Sequence, residues 1–563
     1  MRRSASSWPL DERVSYLSSV NPSKAAAEFQ ELKTPELEGG ALREGRAPEL
    51  WSRESFGLFA QYCAIGLVYG TLPGTIYPFM VAYLNMEGTQ TASARVLVAL
   101  PWSFKFLFGF ISDCFPIRGY RRRPYMLLGW VICLLALLTL ALIDPGKPYW
   151  VRPEYATNDT FRHVKDKDLL GPEITNPSAK DNGGKFIILM MLAAVGYVQA
   201  AVACDAVVCE VAQREPEAVR GTTQTAIYTV RTGFIILAQV LSGFFFNGKE
   251  YGGDFDFTLS FQQIMAILAL AVGLVLPITW FLVHEERCGA VDLRAYAVDF
   301  WEMLQTQAMY QVIAYKFFSN LFGHFQWVAA EPVARYWIGV TNLNDKLSEI
   351  FSSGVFAVTL WMTGKYGLHW NWRTMTALTT VAVVVLDAMV TLLGVWKVIR
   401  YQWFWLGVPI AVMLPAAMNF IVGTFIVVEL AGLGNEGIVY GLISTVGNIG
   451  APYSVTLAKS VNALFDVTNN DIQLDSTHVR WHVTYTALIS YGMMLLSLPW
   501  LVLLPAQKAE TQHLRHHGNR SRGMAIFTVI YVSVALCWSI TTNVLSIFPS
   551  TKCLRIAGGR GCP

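Results

Sequence analysis

Ionisable side chains lie deep within long apolar runs of this sequence, where water cannot solvate a charge. Asp205 and Asp387 are the carboxylates farthest from the ends of their runs, and Glu331 lies in a third run. A charge at membrane depth is costly unless it faces a cavity or a partner, so each one indicates a functional site. A carboxyl group shielded from water suits the binding and release of a proton, and we predict that role for these three residues. The alternative for Asp205 is a permanent ion pair.

One apolar run carries polar residues at helical spacing. They are Lys316, Asn320, His324, Trp327, Glu331 and Arg335. On a continuous helix these residues lie within about 100° of one another, which predicts one polar stripe facing the interior. Lys316 and Asn320 are nearest the middle and are predicted to contact a substrate. Glu331 and Arg335 are one helical turn apart and either act separately or pair with each other.

A further set of basic and polar residues is predicted to bind a substrate. Gln224, Tyr228 and Arg231 share one face of a predicted helix, on which Arg231 lies about 15 Å from the nearer end. An arginine there requires an anion, which is either a substrate carboxylate held by paired hydrogen bonds or a partner such as Asp205. Aromatic faces beside it suit a flat ring. Lys105, in another run, either contacts the substrate or extends to the membrane surface.

The composition identifies the elements that must position these residues. Of the 563 residues 53% are hydrophobic and 15% are charged, whereas soluble proteins carry about 25% charged residues. This composition indicates an all-α integral membrane protein in a lipid bilayer, and excludes a soluble multidomain enzyme, a collagen and a disordered chain. The net charge of +3 gives no field that would attract nucleic acid.

Catalytic and metal-binding motifs are not evident in the sequence. The chain has no phosphate-loop or HExxH motif, and its nine cysteines form no CxxC pair. Only Cys553 and Cys562 are placed to pair, and then only in an oxidising compartment. We therefore expect no enzymatic activity, no cofactor and no metal.

Twelve apolar runs are long enough to cross a bilayer as helices. Their limits are 56–84, 91–112, 124–143, 186–211, 221–246, 262–283, 308–336, 346–364, 372–396, 403–428, 436–465 and 481–504. A further run at 524–549 is either a thirteenth span or an interfacial helix. The predicted organisation is a polar tail (1–55), a first half of six spans (56–283), a connector (284–307), a second half of six spans (308–504), a basic linker (505–523), the extra helix (524–549) and a terminal tail (550–563).

The distribution of Lys and Arg in short loops predicts the orientation. The loop at residues 118–123 holds four arginines, and such loops remain in the cytoplasm. The polar tail and the connector then lie on the same side. The long loop after the third span is placed outside, where Asn158 begins an N-glycosylation motif. We expect the plasma membrane rather than an internal membrane.

Two halves of six spans are typical of the major facilitator fold, in which the substrate binds between the halves near the middle of the bilayer. Residues 109–113 and 119–124 resemble the loop motif of that superfamily, with a Gly and an Asp at a helix end followed by Gly and paired Arg. Acidic and basic groups at such a helix end can hold one conformation of the two halves together. The predicted cytoplasmic gate consists of Asp113, Arg121, Arg122, Glu210 and Arg214.

More specific segments of the first half resemble the folate-biopterin transporter family. They are residues 101–105, 119–125, 205–210, 214–216, 220–225, 231–232 and 247–253. The resemblance implies a polytopic carrier that moves a folate or pterin, driven by protons, with Asp205 as the preferred coupling residue because it lies in one of these segments. Carriers of this family also move other metabolites, including S-adenosylmethionine.

The sequence thus predicts a secondary active transporter that works by alternating access. Its small-molecule substrate is expected to be folate or a related pteridine, with protons as the coupling ion. Two alternatives remain open. One is a carrier of the same fold for another metabolite such as S-adenosylmethionine, and the other is a membrane receptor that does not transport.

Overall fold

The protein is represented by a computed structural model, which describes residues 40–547 with gaps at 46–47, 51, 87, 158–170, 252, 254, 290, 328, 463 and 468, and in addition residues 551 and 554. Asn158, Cys553 and Cys562 lie outside the described residues. Within those residues the regular structure is helical, and the only extended pairings are isolated bridges.

Eight helices form the first half of the chain, and one more follows in the connector. They are α1 (Arg53–Ile76), α2 (Gly88–Ala99), α3 (Lys105–Cys114), α4 (Arg123–Leu142), α5 (Pro153–Thr157), α6 (Gly183–Gln213), α7 (Thr222–Val240), α8 (Phe261–Leu282) and, in the connector, α9 (Leu293–Leu304). Short 3₁₀ segments occupy Leu100–Phe104, Pro177–Asn182 and Lys249–Tyr251, and π-helical turns extend α1 (Tyr77–Tyr83) and α7 (Leu241–Phe245).

The second half and the C-terminal region are also helical. The helices are α10 (Gln307–Gly323), α11 (Ala330–Val333), α12 (Asn342–Met362), α13 (Trp372–Val395), α14 (Gln402–Leu430), α15 (Glu436–Asn462), α16 (Asn469–Leu474), α17 (Thr477–Leu495), α18 (Lys508–His517) and α19 (Arg522–Ile547). The π-helical turns Ala334–Ile338 and Thr363–Gly367 and the 3₁₀ turn Pro499–Leu503 complete the set.

Local sequence explains several of the helix ends. Ser260 and Gln263 form a capping box that begins α8, and Ser476 caps α17 by accepting a hydrogen bond from the backbone N–H of Val479. The 3₁₀ segment between α2 and α3 carries Pro101 in its first turn. Because proline has no N–H to donate, the second span is interrupted there and α3 starts afresh at Lys105.

The predicted seventh span is not one continuous helix. α10 ends at Gly323, His324 is its C-cap, and helix resumes only at Ala330. The prediction of a single polar stripe from Lys316 to Arg335 was therefore wrong, because the residues beyond Gly323 do not keep the helical angle of those before it. Glu331 and Arg335 are both exposed, and no ion pair between them is found among the described residues.

Nine helical segments among the described residues are long and apolar enough to cross a membrane. The expected spans at 308–336, 346–364 and 436–465 contain helix but do not meet that criterion over the residues described, so the count of twelve remains a prediction. α19 packs against α2, α10 and α15, and its crossing of the bilayer also remains a prediction.

Glycines allow the helices to approach closely. α4 and α6 cross at Gly129 and Gly196, where a Cβ atom on either residue would overlap the backbone of the other helix. The two halves meet in the same way, because a Cβ at Gly109 of α3 would overlap the carbonyl of Gly437 in α15. Small residues at such crossings bring helix backbones within direct contact in membranes. The contact between α3 and α15 positions both candidate sites described next.

Candidate functional site

A buried ion pair lies at the middle of the first half. Lys105, the first residue of α3, places its Nζ 2.9 Å from Oδ2 of Asp205 on α6, and both side chains are 5% exposed. Lys105 therefore does not extend to the membrane surface, and that alternative was wrong. Asp205 forms the buried ion pair that was the alternative to proton carriage, but its partner is Lys105 rather than Arg231, so the predicted pairing with Arg231 was wrong.

Three tyrosines surround this pair. The hydroxyl of Tyr62 donates to Oδ1 of Asp205 at 2.5 Å, and that of Tyr228 donates to the same oxygen at 3.1 Å. Tyr228 also shares a hydrogen bond of 2.7 Å with the hydroxyl of Tyr440 from the second half. The Nζ of Lys105 lies 5.0 Å from the centre of the Tyr440 ring. The pair is thus satisfied within the first half, and Tyr440 of the second half packs against it.

Arg231 lies beside this pair without an anionic partner. Its guanidinium lies 5.4 Å from the ring centre of Tyr69, 5.9 Å from that of Tyr228 and 5.5 Å from that of Phe420 in the second half. Its buried Nε has no hydrogen-bond acceptor, and among the described residues no carboxylate lies within 4 Å. Aromatic faces from both halves thus hold this guanidinium at the junction of the halves.

Lys316 and Asn320 lie on the second-half side of the same region. Nζ of Lys316 donates to the backbone carbonyl of Asn419 at 3.1 Å, one residue before Phe420 on α14. The amide of Asn320 donates to the carbonyl of Lys316 at 2.7 Å. Lys316 is therefore linked to the Arg231 region through α14, whereas Asn320 is bonded within its own helix.

Three other predicted residues lie apart from the central pair. Gln224 is buried one helical turn before Tyr228 and about two turns before Arg231 on α7. Its amide donates to the carbonyl of Thr424 at 3.3 Å, and its Oε1 has no partner. Asp387 lies on α13, which packs against α17, and its Oδ1 accepts a hydrogen bond from Thr391 at 3.0 Å. Glu331 is exposed in α11. The structure does not bring Asp387 or Glu331 to Asp205, and their proton-coupling role remains a prediction.

A second cluster occupies the end of the bundle that carries residues 118–123, here called the arginine-loop end. The guanidinium of Arg122 is 1% exposed and contacts Asp113, Glu210 at 3.0 Å and Glu436 of the second half at 2.8 Å. The hydroxyl of Tyr296 on the connector helix α9 donates to Asp113 at 3.1 Å. One arginine therefore joins α3, α6, α15 and, through Asp113, the connector.

Two predicted gate residues lie at the edge of this cluster. Arg214 pairs with Glu54 at 3.4 Å within the first half, and Arg121 donates to the carbonyl of Gly434. The carboxylate of Glu285 accepts hydrogen bonds from the backbone N–H groups of residues 121, 122 and 123, at 2.5, 2.8 and 2.8 Å. It thereby caps the N-terminus of α4 and fixes the loop that presents Arg122.

A parallel link joins the turn before α7 to α14. Arg220 binds Glu429 at 2.7 Å, with side chains 3% and 1% exposed. Gln512 and Arg515 of α18 donate to the same end of α14, at Glu429. Nζ of Lys508 donates to the carbonyl of Arg220 at 2.6 Å, and burial lowers the pKa of Lys508 to about 8. The predicted basic linker is thus a helix that bridges the two halves.

The end of the predicted polar tail also docks here. The backbone N–H of Leu42 donates to the carbonyl of Gln213 at 2.8 Å, and Arg43 binds Glu436 at 3.0 Å. The carbonyl of Gly40 accepts a hydrogen bond from Arg220. Residues 40–43 therefore close over the junction of the halves.

The hydrogen bonds between the halves extend from this end to the middle of the bundle. Gln213 donates to the carbonyls of Val428 and Ala431, and nearest the middle the amide of Asn448 donates to the carbonyl of Trp102 at 3.1 Å. The structure is therefore closed at the arginine-loop end.

Several partners in these clusters were missed by reasoning from the sequence. Glu436, Glu429, Arg220, Tyr62 and Tyr440 carry the contacts described above. The available signal was the position of Glu429 and Glu436 at the ends of second-half spans. They match in charge the arginines at the ends of first-half spans. The tyrosines gave none, because aromatic residues are common in membrane helices.

Comparisons with known proteins give the family resemblance and the fold. Residues 66–151 match the BT1 family. Folate transporter 1 of Plasmodium falciparum is 50% identical over 59 residues, which are 10% of this chain and 12% of that protein. Probable folate-biopterin transporter 4 of Arabidopsis thaliana is 50% identical over 42 residues, 8% of this chain and 9% of that protein. The matched segments thus span only about a tenth of these relatives.

Two solved structures are similar over most of their length. A D-xylose-proton symporter has a TM-score of 0.51 at 10% identity, over 78% of this chain and 96% of that chain. A major facilitator proton:xylose symporter bound to 6-bromo-6-deoxy-D-glucose has a TM-score of 0.53 at 12% identity, over 80% and 95% of the two chains. The chain therefore has the major facilitator fold, and its resemblance to the folate-biopterin transporter family is confirmed.

Proposed function

We propose that this protein is a secondary active transporter that moves folate or a related anionic pteridine across a membrane by alternating access, coupled to protons. The observation that carries the proposal is Arg231, a guanidinium without a carboxylate partner among the described residues, enclosed by aromatic rings from both halves. A carboxylate of the substrate would bind Arg231 through paired hydrogen bonds, and the rings would stack on the pteridine.

The central ion pair supplies a route for proton coupling. Asp205 is held by Lys105 and by the hydroxyls of Tyr62 and Tyr228. A proton on Asp205 removes the negative charge that holds Lys105, so Lys105 and Arg231 then present two cations to the same region. A substrate with two carboxylates suits that arrangement, and its binding is favoured by the protonated state.

The same contacts argue against a cationic substrate such as S-adenosylmethionine. A cation would require an uncompensated carboxylate in the cavity, but Asp205 is neutralised by Lys105 and the remaining charge beside it, Arg231, is positive. A receptor without transport is disfavoured by the ion pairs at the arginine-loop end, because Arg122 and Arg220 cross between the halves at the place where a carrier must open.

The test is uptake of labelled folic acid into proteoliposomes that contain the purified full chain, with and without an inward proton gradient. We expect gradient-stimulated uptake in the wild type and in Arg287→Gln, and its loss in Arg231→Gln. Arg287 is the matched control because it also lies over a tyrosine ring, 5.6 Å from Tyr120, but is exposed outside the membrane.

Competition by unlabelled compounds identifies the substrate class. Unlabelled pterins should reduce the signal and S-adenosylmethionine should not. Absence of uptake by folded, correctly oriented wild-type protein would refute the folate assignment, and equal losses in Arg231→Gln and Arg287→Gln would refute the role of Arg231.

A further inference from the structure

Two histidines and an aspartate converge at the end of the bundle opposite the arginine loop. Asp466 lies in the connection after α15, and His478 and His482 lie in the first turns of α17. Nε2 of His478 lies 3.2 Å from Oδ2 of Asp466, and Nδ1 of His482 lies 3.6 Å from the same oxygen. The two imidazole rings are 4.1 Å apart.

These distances match the spacing of ligands around a zinc ion. Nitrogen and oxygen ligands lie about 2.0–2.2 Å from zinc in tetrahedral sites, which places neighbouring ligand atoms roughly 3.4 Å apart. One ligand atom from each of the three residues lies within 4.8 Å of both others. An ion can therefore contact all three side chains after small rotations.

The surrounding structure holds the two histidines in position. His478 and His482 are four residues apart on α17, so they project from the same face of the helix. The start of α17 is fixed by Asp475, which binds Arg480 at 2.8 Å and Arg400 at 2.9 Å. The helix that carries both imidazoles is thus pinned before any ion binds.

The ring of His482 is already oriented toward the aspartate. Its Nδ1 accepts a hydrogen bond of 2.9 Å from the backbone N–H of Asp466, which shows that this nitrogen presents a lone pair toward the cluster. A metal ion would replace this N–H as the partner of the lone pair. The side chains of His478 and Asp466 are both 66% exposed, so an ion can reach them from solution.

We propose that Asp466, His478 and His482 bind a divalent transition-metal ion of the zinc class, with water completing the coordination. Two imidazoles and one carboxylate favour such an ion over Mg²⁺ or Ca²⁺, which prefer oxygen ligands alone. The bound ion would link the connection after α15 to α17 at the end of the bundle opposite the arginine loop. This proposal replaces the sequence-based expectation of no metal, because only the fold brings Asp466 to the His-x-x-x-His spacing.

The test is a Zn²⁺ titration of the purified full chain, free of any polyhistidine tag, against a fluorescent chelator. Visible absorption of the Co²⁺-loaded protein reports the ligand field. We expect one bound ion, with affinity reduced about tenfold or more in Asp466→Asn and in His478→Ala/His482→Ala. The matched control is His513→Ala/His517→Ala, because these histidines are also four residues apart on a helix and exposed, and their rings lie 5.0 Å apart.

The outcomes separate the site from general histidine binding. Loss of Zn²⁺ affinity in Asp466→Asn and in His478→Ala/His482→Ala supports the proposal if the control variant keeps the wild-type affinity. A Co²⁺ spectrum that disappears only in those two variants also supports it. Absence of binding by the wild type overturns it. Equal affinity of the wild type and His478→Ala/His482→Ala also overturns it, as does a loss confined to His513→Ala/His517→Ala. The readout does not use transport, so it is independent of the proposed substrate.

Discussion

The central cluster and the arginine-loop end both contain buried ion pairs, but they distribute them differently between the halves. Lys105 and Asp205 are both in the first half. At the arginine-loop end, by contrast, Arg122 binds Glu436 and Arg220 binds Glu429, so each of those pairs joins the first half to the second. A separation of the halves at that end would break the pairs of Arg122 and Arg220. The pair of Lys105 and Asp205 does not depend on the contact between the halves, so it is set by the charge state of Asp205 instead.

Breaking the central pair should have the largest effect. Asp205→Asn leaves the charge of Lys105 buried without a partner, which costs about 3–5 kcal/mol in the free energy of unfolding. Thermal unfolding of the purified protein measures this loss. The double variant Lys105→Met/Asp205→Asn should recover most of the stability, because it removes both charges, but should not recover gradient-stimulated uptake. Equal destabilisation by the single and double variants would contradict a pair held within one half.

Breaking a gate pair should change the conformation more than the stability. Arg122→Gln removes the buried cation shared by Asp113 and Glu436 and leaves only the half-buried Arg43 beside Glu436, so the closed state should lose population by about tenfold or more. Maleimide modification of Cys209, buried one residue before Glu210, measures opening in a variant that has Cys209 as its sole cysteine.

The neighbouring arginine provides the control for this change. The guanidinium of Arg123 lies 5.1 Å from the ring centre of Tyr120 and 5.2 Å from that of Trp280, both in the first half or its adjoining loops. Arg123→Gln should therefore leave the modification rate of Cys209 close to that of the wild type. If both variants accelerate modification equally, the contact between the halves is not what closes this end.

The helix contact that carries both regions can be tested with glycine variants. Gly109→Ala places a Cβ against the carbonyl of Gly437 and should destabilise the closed state by about 1–3 kcal/mol. Gly233→Ala, where nothing lies within 4 Å of the added atom, should be neutral or stabilising because alanine favours helix. The unfolding temperature should therefore fall in Gly109→Ala and stay the same or rise in Gly233→Ala. Equal losses would argue against direct contact of α3 and α15.

The smallest effect concerns pH at the arginine-loop end. Burial lowers the pKa of Lys508 to about 8 from 10.5 in the unfolded chain. Between these values the unfolded chain binds the proton and the folded chain does not, so the contribution of Lys508 to stability rises with pH from about 8 to 10.5 and is constant below that window.

The comparison of wild type and Lys508→Met isolates this contribution, because other titrating groups are common to both proteins. The difference between their free energies of unfolding should shift in favour of the wild type as the pH rises from 8 to 9.5. A difference that does not vary with pH would show that Lys508 is not desolvated by its position against Arg220.

The sequence predicted the fold well where composition and length decide it. The apolar runs indicated the all-helical membrane architecture of the major facilitator fold, because the cost of exposing polar backbone to lipid leaves few alternatives. It did not predict the break after Gly323. The carbonyl of Phe325 accepts a hydrogen bond of 2.6 Å from Ser490 of α17, a partner 165 residues away that no local pattern indicates.

The candidate site was predicted in part for a similar reason. Depth in the membrane identified Asp205 and Arg231, and the loop motif identified Asp113 and Arg122. The partner Glu436 lies 314 residues from Arg122 in sequence, and the contact depends on how α3 and α15 cross. Side-chain type and spacing therefore locate individual charges, whereas their pairing requires the tertiary structure.

The early end of α10 also bears on biogenesis. At 17 residues it extends about 26 Å, which is less than the roughly 30 Å of the hydrocarbon core, and it carries Lys316 and Asn320. Such a segment partitions poorly into lipid alone. Its unwound continuation is satisfied by Ser490, which the ribosome adds much later. We therefore expect α10 to remain beside the insertion machinery until α17 has been synthesised, so that this half assembles cooperatively rather than one helix at a time.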